Sequence, residues 1–188
     1  PDVDLKLIDT SVDFTKGNYE AAISTLFEGA ILAVIVVFVF LRDFRATVIA
    51  AISLPLSIFP AFWAMDLLGF SLNLVSFLAI TLSTGILVDD ATVTIENINY
   101  HLEQGKPVEQ SILDGANQIV TPAFVSLLCI CIVFVPMFFL EGVARFLFVP
   151  MAEAVMFAMI WSFILSRTLV PTMANYLLHA HVHHEGEP

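Results

Sequence analysis

Positive charge is scarce in this chain. Seven Lys and Arg stand against eighteen Asp and Glu, a formal net charge of −11 at pH 7. That imbalance argues against nucleic acid as a partner. Cysteine is nearly absent too. Cys129 and Cys131 are two residues apart, which on a helix points them to nearly opposite sides, so they cannot bridge each other. They read as small buried hydrophobes. There is no glycine-rich phosphate loop, no nucleophile–base pair and no zinc-ligand spacing, so neither an enzyme, a cofactor nor a metal centre is expected. The chain also starts without Met or a cleavable leader: Pro1 reads as the start of a fragment, a processed chain or a partial product.

Charged residues of both signs make up only 13% of the chain, against 59% hydrophobic ones, and the mean hydropathy is +0.90. A soluble domain carries about a quarter charged residues. The missing charge has been replaced by Phe, Leu, Ile, Val and Ala, which points to lipid as the solvent.

A helical span needs about 20 apolar residues. Five candidates run over about 23–41, 46–65, 72–98, 118–140 and 146–166. Barrel strands need only about 10 alternating residues, so the predicted fold is an all-α, polytopic membrane bundle filling residues 21–178. Pro55, Pro60, Pro122 and Pro136 fall within spans, where neighbouring helices re-satisfy the freed carbonyls. Short links make the spans antiparallel neighbours. The one long polar link, 99–117, places Val108 and Ile112 one turn apart after Pro107, predicting a cytoplasmic amphipathic helix over about 107–117. Residues 179–188 hold His179, His181, His183 and His184 at irregular spacing and read as a disordered, solvated tail rather than a metal site.

Five spans put the ends on opposite sides. With the N-terminus outside, Arg42, Arg45, Lys106 and Arg167 fall inside, and Lys6, Lys16 and Arg145 outside, so the positive-inside rule favours this orientation.

Asp89 and Asp90 interrupt the third span, with Leu72–Val88 apolar or neutral before them and Ala91–Ile95 after. A carboxylate in hydrocarbon costs roughly 2.5–3.5 kcal/mol on insertion scales. Such a pair is hard to explain as packing, and protons or cations are its natural ligands. An aspartic-protease dyad needs two carboxylates flanking one peptide bond, whereas neighbours on one helix diverge. Glu28, inside the first span, is either a second proton-linked or gating group or an interfacial acid. Glu96, near the inner end of the third, reads as a solvated helix-end acid with a secondary proton role as the alternative. Glu153 is expected to snorkel to the outer face. No Lys lies within a span, and Arg145 and Arg167 fall at span ends, so no intramembrane cation is expected beside the pair. Ala79, Ser83, Gly85 and Ala91 are small residues suited to close helix packing.

The run Gly85-Ile-Leu-Val-Asp-Asp-Ala-Thr-Val-Thr-Ile-Glu-Asn-Ile98 resembles the fourth-helix signature of the resistance-nodulation-division (RND) efflux transporters. Thr25–Ala30 resembles the start of that family's second helix, Phe40–Thr47 the link to its third, Gly69–Asn73 the start of its fourth, Phe134–Met137 its fifth and Leu169–Thr172 the end of its sixth. Residues 1–20 resemble the end of a periplasmic porter domain. The resemblance covers helices two to six of twelve and implies a multi-pass protein of the bacterial inner membrane with a periplasmic N-terminus. It implies export of drugs or other amphiphiles driven by protons carried on Asp89 and Asp90, with Glu28 and Glu96 at acidic positions of the family. It also implies a trimer, with a periplasmic adaptor and an outer-membrane channel as partners, and a Lys on a later helix as partner of the pair. Metal-exporting relatives typically carry one acid where this chain has two, which favours the hydrophobe and amphiphile branch. Two other readings remain open: an inactive or assembly-dependent piece packing with helices of another subunit, and a small proton-conducting bundle.

Overall fold

A computed structural model describes residues 11–70 and 73–182, with side chains from Lys16 to Leu177. Six α-helices and one 3-10 turn make up the described residues: α1 (Ser11–Leu41), α2 (Phe44–Leu67), α3 (Leu74–Glu103), α4 (Val108–Gln118), α5 (Val120–Phe134), a 3-10 segment (Val135–Phe139) and α6 (Gly142–Val182). Five stretches are long and apolar enough to cross a membrane, with α4, α5 and the 3-10 segment forming one of them. The expected all-helical bundle is therefore what the chain forms.

The core lies between α2, α3 and α6. Their most apolar stretches are 44% buried, against 6% for α1 and for the α4–α5 run. The reason is visible in residue size. α2 turns Ala46, Ala50, Ser53, Ser57 and Ala61 inward, and α6 turns Ala154, Ala158, Ser162, Ser166 and Ala174. These small residues recur every three to four positions, with Val170 taking the one place between Ser166 and Ala174, which lets helix backbones approach closely without a hydrophobic effect to draw them together. Ile80, Leu87, Ile95 and Ile98 of α3 fill the space between. Ser53, Ser57 and Thr84 donate to carbonyls three or four residues back in their own helices, so their hydroxyls are satisfied inside the apolar core.

The ends are fastened by specific polar contacts. Asn73 caps α3 by accepting from Ser76 N at 2.8 Å, and its Nδ2 donates to the carbonyls of Phe146 and Leu147 at 3.3 Å each. At the opposite end Asp43 caps α2, and Arg45 Nη1 donates to the Leu177 carbonyl at 2.9 Å. Gly69, at φ +76°, stops α2 in a left-handed conformation that glycine adopts freely, with Phe70 N donating back to Met65 O.

Three expectations need correction. The last helix does not stop near Ser166. Its small-residue face continues through Val170 and Ala174, so packing carries the helix through Pro171 to Val182, and 179–182 are helical rather than disordered. Residues 1–10, Ser71, Leu72 and 183–188, with His183 and His184, lie outside the described residues, as do the side chains of His179 and His181. Cys129 is exposed and Cys131 half-buried, because α5 buries little beyond Leu127. Glu153 does not turn freely outward: its Oε2 is buried and has no partner among the described residues.

Candidate functional site

α3 and α6 touch at their middles, where Ser162 Oγ donates to the Leu87 carbonyl at 3.1 Å. Ser162 stands equidistant along α6 from Leu147 and Leu177, the residues held by Asn73 and Arg45. At 1.5 Å per residue those two ties are about 45 Å apart and Ser162 is about 22 Å from each. A bilayer with its headgroups is ~40–45 Å thick. The spacing of the bundle's polar fastenings thus equals the thickness of a bilayer, and Asp89 and Asp90, within one turn of Leu87, lie about midway between them.

Both Asp side chains open into one cleft of about 290 Å³ between α3, α5 and α6. Successive helix positions differ by about 100°, and the pair splits accordingly: Asp89 is exposed on the outer flank of α3, whereas Asp90 is half-buried toward α6. Ser162 faces Asp90 across that interface. Its single hydroxyl proton is given to Leu87 O, and a rotation about the Cβ–Oγ bond would offer it to Asp90 instead. Thr92 and Thr94 do not serve the carboxyls, since their hydroxyls donate to Val88 O and Asp90 O of their own helix. Pro122, Ala123 and Leu127 give the α5 wall its apolar character.

The cleft also holds a cation that the sequence had placed at a span end. Arg167 lines the same space as the two Asp residues, because α6 continues well past it to Val182. Its Nη1 donates to the Ala116 carbonyl at 3.0 Å and its guanidinium carbon lies 5.5 Å from the Phe163 ring centroid. Its Nε is buried with no partner among the described residues. Arg167 and Asp90 line one cleft, but they do not form an ion pair: among the described residues the ion pairs are Lys16–Glu20 and Lys106–Asp114. The spacing Phe163–Arg167, one turn of helix, was the available sequence signal for this placement.

The other candidate acids lie elsewhere. Glu96 is exposed two turns beyond Asp89 on the same face of α3, about 10 Å along the axis toward the α4 end. Glu28 is exposed on α1 and accepts from Ser24 Oγ at 3.1 Å. Its neighbour Gly29 packs against Thr81, two turns before Asp89, so Glu28 stands about 12 Å away along the axis and outside the cleft.

A polar network closes the α4 end. Asn97 Nδ2 reaches Gly115 O at 2.8 Å, His101 Nε2 meets Gln118 Oε1 at 2.9 Å, and Lys106 Nζ bridges His101 Nδ1 and Asp114 Oδ2 at 3.0 and 2.7 Å. It holds the amphipathic α4 flush against α3, at the end of the site nearest Gly115.

Comparison with known proteins agrees with this architecture. The family described as AcrB/AcrD/AcrF matches residues 2–187. The multidrug resistance protein MdtC of Escherichia coli O139:H28 is 36% identical over 178 residues, covering 95% of this chain and 17% of the relative. MdtC of Shigella sonnei gives the same identity and coverage. A crystal structure of a heavy-metal efflux pump superposes with a TM-score of 0.75 at 31% identity, covering 88% of this chain and 16% of that one. The chain thus spans about a sixth of the length of these relatives.

Proposed function

Starting from a chain that belongs to the AcrB/AcrD/AcrF family of RND transporters, we propose that it forms part of a proton-driven exporter of drugs or other amphiphiles, in which Asp89 and Asp90 relay the protons. The observation that carries this reading is two adjacent carboxyls at the middle of α3, a helix long enough to cross a membrane, opening into one cleft. Charge at that depth is costly, so proton uptake neutralises the site and relaxes it, and proton release restores a charge that the helices must accommodate. The two protonation states therefore favour different packings of α3 against α5 and α6. Moving one charge through 100 mV is worth about 2.3 kcal/mol, enough to shift a two-state bundle about fiftyfold.

Protons leave toward the α4 end, along the face that Glu96 shares with Asp89. Glu28 acts separately, as a gating group on α1. The N-terminus is periplasmic. With Arg167 inside the span, the Arg42/Arg45 link becomes the main support for that orientation, because it is short and holds two cations. The assembly is a trimer in the inner membrane with an adaptor and an outer-membrane channel, and the substrate is organic rather than a metal ion, as two acids in place of one suggest.

The test is Asp89→Asn and Asp90→Asn in the complete transporter carrying this segment. Each is expected to abolish proton-driven export while leaving insertion intact; retained export refutes the assignment. A second reading, a helix package that acts only with other subunits, is favoured by the large apolar faces that α1 and α5 leave exposed, Phe27, Phe40 and Ile132 among them. Proton flux into liposomes holding this chain alone, read with a pH dye, would instead support a small self-sufficient proton-conducting bundle.

A further inference from the structure

We propose that Arg167 is a positioning residue for the acidic pair, which hands the charge state of Asp90 on to α4. The inference rests on the proton-relay reading above. A cation at this depth needs a compensating anion, and the described charges sort clearly. α5 contributes no charged group, and α6 contributes only Arg167 to the cleft. On α4, Asp114 is engaged by Lys106, which also meets His101 of α3, and Glu109 lies in the first turn, away from Ala116. On α3, Glu96 lies two turns beyond Asp89 on the exposed face. Asp89 and Asp90 are the anions that share the cleft with the guanidinium.

The guanidinium is held on two sides. Nη1 is fixed on Ala116 O, in the last turn of α4, and Phe163 covers one face. The carbonyl end of a helix carries partial negative charge. Nε, buried and without a described partner, is the donor left over. Two acceptors therefore compete for one cation: an ionised Asp90, and the carbonyl end of α4. With Asp90 charged, the guanidinium is shared between them. With Asp90 protonated, it falls back on Ala116 and tightens α4 over the inner mouth.

The test compares Arg167→Met, Arg167→Lys and Asp90→Asn in the complete transporter, reconstituted in liposomes, by the pH dependence of export and by melting temperature. Arg167→Met is expected to displace the pH–rate midpoint by about one unit to alkaline pH, a tenfold change in proton affinity, because a carboxyl that has lost a neighbouring cation releases its proton less readily. Arg167→Lys, which keeps the charge, is expected to restore most of the displacement at an unchanged melting temperature. A wild-type profile in Arg167→Met beside an inactive Asp90→Asn overturns the role of Arg167 and leaves the relay standing. Export by Asp90→Asn overturns the relay, and this inference with it. If Arg167→Met does not insert, infrared titration of the carboxyl band in detergent-purified wild type and Arg167→Gln, a polar variant that removes the charge, decides. A changed band position or titration curve supports the contact, and superimposable curves overturn it.

Discussion

Gly115 and Ile98 meet backbone to backbone. A Cβ placed on Gly115 would lie 2.8 Å from Ile98 Cα and 2.9 Å from its N, closer than carbon atoms tolerate. This contact, with Asn97 Nδ2 on Gly115 O at 2.8 Å, is what lets an amphipathic helix lie flat on the end of α3. Gly115→Ala is therefore expected to force α4 away and to destabilise the bundle by about 1–3 kcal/mol. Gly17 is the control: it lies inside α1 with nothing within 4 Å of such a Cβ, and Gly17→Ala is expected to be neutral or to stabilise by up to ~1 kcal/mol. Thermal unfolding in detergent compares the two, and equal effects would contradict the close approach.

Asn73→Ala removes the cap of α3 and, in the same step, the two bonds to the Phe146 and Leu147 carbonyls. A lost cap alone costs about 1 kcal/mol, so a larger loss is expected here, whereas Asn73→Asp keeps the cap and loses only the donor. Chemical-denaturation midpoints of the two variants should separate these contributions.

Arg45→Met frees the Leu177 carbonyl at the other end of α6. A hydrogen bond from a charged group contributes about 1.5–3 kcal/mol. Amide exchange should quicken after Pro171 while the Leu87–Ser162 level stays protected; uniform protection would show that the tie is not needed.

Glu96→Gln is expected to slow proton-driven export by less than tenfold, below ~1.4 kcal/mol of barrier, because Glu96 is exposed on α3 outside the cleft that Asp89 and Asp90 share. A loss as complete as that of the Asp variants would place Glu96 at the centre of the relay.

Much of the site was legible in the residues. The length of each apolar run located the helices, and two adjacent acids in the third run located the cleft, because lipid makes charge conspicuous. Arg167 was misplaced for a physical reason: Pro171 and a nearby cation imitate the end of a span, whereas the Phe163–Arg167 spacing and the buried register through Ser162, Ser166, Val170 and Ala174 show that the helix goes on. The α4 network was not legible either. Asn97, His101, Lys106, Asp114 and Gln118 are ordinary polar residues at the edges of two spans and between them until folding brings their atoms within 3.3 Å of one another.

The longest helix has both of its ends anchored, to Asn73 and to Arg45, with Pro150 and Pro171 inside it. A rod held in this way cannot work as a piston. It can only bow, bending where proline has removed a hydrogen bond, so any stroke delivered by the proposed proton step would reach its neighbours as sideways flexure.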